Sequence, residues 1–309
     1  MTATLPLTVE SERRPPSSLQ EEISSDDPPP VARLKGKTLV IKLGGSTLEH
    51  QRGVLQDILR LQTLGMRLVV VHGGGPSITA LLNALHIPTR FEEGLRVTDA
   101  QTLEVVCMVL RGQINERLVE LVAELGGQAV GLSGTDGGII RAHIVNEHLG
   151  LVGEVETVDP MLVQRLLDDG YLPIIAPLGQ GPDGSCLNIN ADLVAAHLAA
   201  ALHADALIFL SDVAGICRPD GTCIAELSEA DAHTLIEAGV IRGGMIPKVR
   251  ACLQALTVVP RVQIVDGGEP HILLRQISQE QCVGTTIVRN TSACSSSGRR
   301  LLFVPVTTS

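Results

Sequence analysis

Short runs of β-branched and aliphatic residues alternate with helix-period segments, and this alternation constrains the fold more than any other feature of the chain. TLVIKL (38–43) precedes a segment with Leu48, Val54, Leu55, Ile58 and Leu61 at helical spacing. RLVVV (67–71) precedes a second, from Pro76 to His86, where the proline suits a first helical turn. AVGLS, LPIIAPL, ALIFLS and RVQIVD repeat the pattern, each followed by turn residues or a helix. Apolar runs this short, with no polar residue on alternate positions, are what strands covered on both faces look like. Strand–helix alternation then predicts an α/β fold with a largely parallel sheet between helices. Two segments break the rule: IPTRFEEGLRV (87–97) and GIIRAHIVNEHLGLVGEV (138–155) read as hairpins projecting from the sheet.

The 309 residues suffice for one large α/β unit or two fused lobes. Aromatics are nearly absent and Trp is missing, so the core must be aliphatic. A net charge of −10 argues against a duplex-binding protein, which needs a basic face, but permits a locally positive pocket for a small anion. The seven cysteines include no CxxC pair and no neighbouring His cluster, so neither a disulfide framework nor a zinc site is expected. They read as small buried hydrophobes in a reducing compartment. No apolar run reaches the ~18 residues of a membrane span. The start, MTATLPLTVESERRPP, lacks the long apolar core of a signal peptide, and its acidic residues speak against a transit peptide, so the cytoplasm is the expected location. Residues 1–34, rich in Pro, Ser, Glu and Asp, read as a disordered tail, and 289–309 as a C-terminal tail outside the core, its LLFVPV able to dock weakly as a strand.

In open α/β sheets ligands bind beyond the carboxyl ends of the strands. Three turns there are glycine-rich: Gly44-Gly45 after the first strand, His72-Gly73-Gly74-Gly75 after the second, and the region 131–138. Glycine lets backbone N–H groups approach an anion, and a following helix adds its positive end. No Walker P-loop is present and no dinucleotide fingerprint follows the first strand, so the cradle is of another kind. Lys42 ends a doubly covered strand, an expensive place for an unpaired charge. Lys248 follows Gly243-Gly244, glycines that let the loop fold over a ligand. Asn188, Asn190 and Asp192 alternate at a helix start, more polar groups than capping requires. Arg96 has the geometry of a bidentate carboxylate receptor, and Thr98 or Asp99 caps the helix that follows.

Taken together, the blocks KLGGS, VVHGGGPSI, GLRVTD, GLSGTDGG, GYLPIIAPLG, LNINADLVA, LSDVAGI, GGMIPKV and VDGG resemble the amino acid kinase family, and within it the branch acting on N-acetyl-L-glutamate. The resemblance runs from about Lys37 to Val288. It implies a three-layer αβα sandwich, with an N-terminal lobe (35–205) for the acyl substrate and dimerisation and a C-terminal lobe (206–288) for ATP. It implies ATP-dependent phosphorylation of the substrate's γ-carboxylate, a step of arginine biosynthesis. By the same likeness Lys42 and Lys248 flank the phosphoryl group and Asp192 orients both. Gly45 and Gly74 offer N–H groups to it, and Gly74 and Gly75 also contact the substrate. Arg96, Asn188 and Asn190 clamp the substrate. Asp212, Val213, Ala214, Gly215, Ile216 and Cys217, with Val240, Ile241 and Arg242, contact the nucleotide. Mg²⁺ is expected to ride on the ATP phosphates, with no dedicated protein site. Gln276 stands where arginine-inhibited members carry a glutamate, and Pro28-Pro29-Pro30 sit close to the position of their N-terminal helix, so a homodimer poorly inhibited by arginine is expected rather than a hexamer. The rivals are a sibling kinase acting on carrier-bound aminoadipate or glutamate, and a non-catalytic sensor.

Overall fold

The computed structural model describes residues 34–44, 51–278 and 284–289. The elements of its first half are β1 (Thr38–Leu43), α1 (Gln51–Thr63), β2 (Arg67–His72), α2 (Gly75–Ala84), β3 (Phe91–Glu92), β4 (Leu95–Arg96), α3 (Ala100–Cys107), a π-helical stretch (Met108–Asn115), α4 (Glu116–Glu124) and β5 (Ala129–Ser133). Next come β6 (Ile140–Ile144), β7 (Val152–Val158), α5 (Met161–Asp168), β8 (Leu172–Ala176), β9 (Leu178–Gln180), β10 (Cys186–Ile189) and α6 (Ala191–Ala201). The last third holds β11 (Ala206–Ser211), β12 (Glu226–Ser228), α7 (Glu229–Glu237), α8 (Met245–Ala255), β13 (Val262–Asp266), α9 (Ile272–Ser278) and β14 (Thr285–Val288).

Eight strands form the main sheet in the order β12-β14-β13-β11-β1-β2-β8-β5. β14 runs antiparallel to β13, and β12 follows β14; the other six strands are parallel. All six residues of β1 and of β11 are buried, as the unbroken apolar runs require. Successive side chains go to opposite faces, so two cores form. Val40, Val69, Val71, Leu207 and Phe209 pack with α5, α6, α7 and α8. Leu39, Ile41, Leu68, Val70 and Ile208 pack with α1 to α4 and α9. The result is the three-layer αβα sandwich. Truncating a fully buried side chain such as Ile41 to alanine costs about 2–5 kcal/mol.

Two expectations need correction. Residues 87–97 do contain a hairpin, β3 with β4. β6 and β7 also pair as an antiparallel hairpin, but it does not project: β9 and β10 join it in a closed four-stranded barrel. Close packing makes that closure possible, since a Cβ on Gly179 would come 2.5 Å from Ile189 and one on Gly153 2.9 Å from Leu187. LPIIAPL, read as one strand, breaks at Pro177, which has no N–H to continue the ladder. β8 stays in the main sheet and β9 enters the barrel. β1 is the point where the sheet order turns, with β2 on one side and β11 on the other, so the loops after these strands share one edge.

Candidate active site

Lys42 sits next to the end of β1, on the face covered by α6 and α8, opposite Phe209 and Val71 of the neighbouring strands. Asp192 stands in the first turn of α6, whose cap is Asn190: the Asn190 Oδ1 accepts from the N–H groups of Asp192 and Leu193 at 2.8 and 3.3 Å. Lys248 lies near the start of α8. These three converge. Lys42 Nζ is 2.8 Å from Asp192 Oδ1, and Lys248 Nζ donates to Asp192 Oδ2 at 3.0 Å. All three residues are buried, and Lys248 also lies 5.5 Å from the centre of the Phe209 ring. Burial pushes the Lys42 ammonium below its usual range, against the pull of Asp192. Burial would raise the Asp192 carboxyl, but Lys42 and then Lys248 outweigh it and hold it low. Two ammonium groups against one carboxylate leave one positive charge within the trio, a place made for an anion.

The turn Gly73-Gly74-Gly75 joins β2 to α2 directly above this edge, and Gly74 is the N-cap of α2. The first N–H groups of a helix have no intrahelical partner and suit an anion. Space makes glycine necessary here: a Cβ on Gly74 would meet Ile114 at 2.6 Å and Leu110 at 2.7 Å, both on the π-helical stretch. Gly45, the sequence candidate from the turn after β1, lies outside the described residues.

Arg96, at the end of β4, is buried over the Phe91 ring at 4.7 Å. Its Nη2 donates to Gly75 O at 3.1 Å and to Thr79 Oγ1 at 2.8 Å. Its buried Nη1 has no hydrogen-bond partner among the described residues, and a guanidinium left so asks for an acceptor from a ligand. Asn188 Nδ2 donates to Thr98 Oγ1 at 3.1 Å, and that hydroxyl donates to Arg96 O at 2.7 Å. Asp99, not Thr98, caps α3. A cleft of ≈ 300 Å³ is lined by Lys42, Gly74, Gly75, Arg96, Asn188, Asn190 and Asp192, so seven of the sequence candidates share one cavity.

The segments 212–217 and 240–242 do not line that cleft. Asp212 follows β11 and its charge is felt at Lys42. Ile216 and Ile241 turn their side chains into the core, so only their backbones could meet a ligand. Gly215, at φ 136°, lies in a backbone region that favours glycine, and a Cβ there would come 2.7 Å from Thr285 Oγ1. The reading of the cysteines as separate buried hydrophobes fails for two of them, because Cys217 and Cys223 are bonded to each other across a short loop. A backbone bridge brings the two cysteines face to face, which no spacing rule flagged. Of the other described cysteines, Cys252 is buried as expected, whereas Cys107 and Cys186 are half-buried with their sulfurs 3.7 Å apart.

Sequence reading gave no role in the site to four residues that help to build it. Thr98 links Asn188 to Arg96, Phe91 carries the Arg96 guanidinium, and His72 with Asn115 underlies the glycine turn. Among the described residues no group of three or more His, Cys, Asp or Glu could hold a metal ion, and no helix is long and apolar enough to cross a membrane. Asp192, the carboxylate lining the cleft, has both oxygens on lysines and does not fit as a metal ligand.

Residues 37–266 match the family model described as the amino acid kinase family. The chain is 45% identical over 266 residues to acetylglutamate kinase of a Synechococcus strain, covering 84% of this chain and 85% of that one. It is 44% identical over 266 residues to the chloroplastic acetylglutamate kinase of Arabidopsis thaliana, with 83% and 77% covered. N-acetylglutamate synthase from Neisseria gonorrhoeae, solved with coenzyme A and N-acetyl-glutamate, superposes with a TM-score of 0.75 at 27% identity, covering 85% of this chain and 62% of that one. Carbamate kinase from Giardia lamblia, bound to AMP-PNP, shares the fold with a TM-score of 0.60 at 20% identity, over 82% of this chain and 99% of that one.

Proposed function

The chain belongs to the amino acid kinase family, and on that premise we propose that it transfers the γ-phosphoryl group of ATP to the side-chain carboxylate of N-acetyl-L-glutamate, a step of arginine biosynthesis. ATP enters as its magnesium complex, the metal belonging to the substrate. A carboxylate is already a nucleophile, so no general base is needed: one of its oxygens attacks the γ-phosphorus, the bond to the β,γ-bridging oxygen breaks, and ADP leaves without any proton transfer. What the reaction demands is alignment of two anions and neutralisation of charge on the phosphoryl group in flight.

In this reading Lys42 and Lys248 flank that group and Asp192 holds both ammonium groups in place. Gly74, with Gly45 from the preceding turn, presents an N–H group to its oxygens, and Gly74 and Gly75 contact the acyl substrate. Arg96 takes the α-carboxylate of the substrate through its unpaired Nη1, and Asn188 and Asn190 bind the acetamido group. The segments 212–217 and 240–242 hold the nucleotide by their backbones. The halves 35–205 and 206–288 divide the two substrates between them. One observation carries the proposal: Lys42 and Asp192, two members of a buried Lys–Asp–Lys trio whose third member Lys248 lies behind them, line the same cleft as a buried arginine with a free donor. The intact trio also favours catalysis over a sensor role, which would not need it. The test is ADP release with N-acetylglutamate, glutamate or aspartate as acceptor. N-acetylglutamate should give by far the highest kcat/KM, and equal or better turnover of either free amino acid would overturn the assignment.

A further inference from the structure

The glycine turn after β2 is held from beneath by two buried side chains that none of the roles above uses. His72 is the last residue of β2 and fully buried; Asn115 ends the π-helical stretch and is nearly so. Asn115 Nδ2 lies 2.9 Å from Ile174 O, 3.2 Å from Leu132 O and 3.1 Å from His72 Nε2. Carbonyl oxygens only accept, so the two of them decide which end of the amide is nitrogen. The amide nitrogen has two hydrogens for these three acceptors, so the tautomer is settled at the other end of the ring: Gly73 O can only accept, and the ring proton must sit on Nδ1. Nδ1–H donates to Gly73 O at 2.9 Å. Burial first, and the charge of Lys42 in addition, drop His72 to about 4 against the pull of the Gly73 hydrogen bond, so the ring is neutral at ordinary pH.

The peptide joining Gly73 to Gly74 is trans, and in a planar trans peptide the C=O and the next N–H point in opposite directions. Drawing Gly73 O onto the ring therefore turns the Gly74 N–H away from the ring. We propose that His72, aligned by Asn115, is a positioning residue that fixes the Gly73–Gly74 peptide plane and so presents the Gly74 N–H to the phosphoryl group. The role rests on the phosphoryl-transfer reading above. The surroundings are shaped to keep the pair in place. A Cβ on Gly131 would collide with Asn115 Oδ1, and Gly74 itself packs on Leu110 and Ile114 of the π-helical stretch that carries Asn115. Such helical irregularities often mark functional sites.

The test combines a spectrum with kinetics on the full chain. In protein labelled with ¹⁵N-histidine, the His72 signals, assigned by their loss in His72→Asn, should report a neutral ring protonated at Nδ1 throughout neutral pH. His72→Leu removes the donor and should lower kcat by roughly 10²–10³-fold, the loss typical of a missing transition-state N–H, while the KM for N-acetylglutamate changes little. His72→Asn places an amide donor near the position of Nδ1 and should recover a large part of that loss, which a purely structural role would not predict. Equal kcat losses in the two variants, both folded, would overturn the proposal. If His72→Leu does not fold, the spectrum of the wild-type protein still decides: active enzyme with the proton on Nε2 overturns this role alone. A wild-type enzyme that shows the Nδ1–H form but releases no ADP with N-acetylglutamate overturns the phosphoryl-transfer reading, and this role with it.

Discussion

The two sides of the sheet's working edge are built from different materials. Around β1, β2 and α6, side chains hold one another, most of them buried: Lys42 and Lys248 on Asp192, Arg96 over the exposed Phe91, the half-buried Asn188 on Thr98, His72 on Asn115. Beyond β11, the segments 212–217 and 240–242 are held mainly through the backbone. Ile216 N–H donates to Thr285 Oγ1, Ile224 N–H to Ile216 O, and the N–H groups of Val240 and Ile241 both to Leu235 O. In the proposed reaction the first region places charge on reacting atoms, and only side chains carry full charge. The second is proposed to meet the nucleotide, and a backbone can do that with almost any side chain directed into the core. Chemical identity should therefore matter on the first side, and hydrogen-bond geometry on the second.

The sharpest way to break this contrast is Asp192→Ala. It would leave two buried ammonium groups facing each other, and removing one partner of a buried ion pair costs about 3–5 kcal/mol. Chemical denaturation should show a loss of that size, together with loss of turnover. A fully stable variant would mean that the two lysines can find water and that the trio is not tightly enclosed. Lys248→Ala comes next, with kcat lowered by about 10²–10³-fold, or ~2.7–4 kcal/mol of barrier, and little change in the KM for N-acetylglutamate. More than half of the wild-type kcat remaining would take Lys248 out of the catalytic set.

On the other side, Thr285→Val keeps the volume but leaves the buried Ile216 N–H without its acceptor, a cost of about 1–3 kcal/mol. The KM for ATP should rise and that for N-acetylglutamate should not. If both stay at wild-type values, the backbone of 212–217 does not meet the nucleotide. Arg96→Lys returns to the first side: the charge stays, but the fork and its seat on Phe91 go. We expect the KM for N-acetylglutamate to rise roughly tenfold, about 1.4 kcal/mol, with the KM for ATP unchanged. A fall in ATP affinity instead would place Arg96 on the wrong side of the comparison.

The same division decides what could be read from the sequence. Lys42 and the glycine turns stood out because a charge or a run of glycine interrupts a regular apolar pattern at a strand end, and Arg96 because its fork suits a carboxylate. The main sheet was legible for the same reason, its strands being unbroken aliphatic runs. The barrel was not: β9 and β10 are three and four residues long, and their partners are fixed by tight packing at Gly153 and Gly179 rather than by any local period. His72 was read only as the first residue of a glycine turn, because its partner Asn115 lies 43 residues along the chain, on a π-helical stretch that helical periodicity does not reveal. The Cys217–Cys223 bond was missed because a lone pair six residues apart matches no framework pattern. Gly45 was legible as a candidate, but it lies outside the described residues.

That disulfide supplies the smallest expected effect and the finest test of the comparison. It is the one covalent tie on the nucleotide side among the described residues, and it starts at Cys217, the last residue of the proposed ATP-contacting segment. If covalent closure positioned the segment, breaking it would matter as much as removing the Thr285 hydroxyl. The hydrogen bonds argue otherwise. Within the loop, Arg218 N–H donates to Thr222 O and Gly221 N–H to Arg218 O, so the turn is closed without the sulfurs. Outside it, Ile224 N–H reaches Ile216 O and Ile216 N–H reaches Thr285 Oγ1, so the segment is fixed on both sides of the bond. Cys223→Ser removes the cross-link and leaves every one of these contacts in place. The KM for ATP should then move by less than about twofold, some 0.4 kcal/mol, and reductant should do the same to the wild-type enzyme. A rise as large as that of Thr285→Val, in either experiment, would show that the nucleotide side depends on the sulfur bridge and not on its backbone.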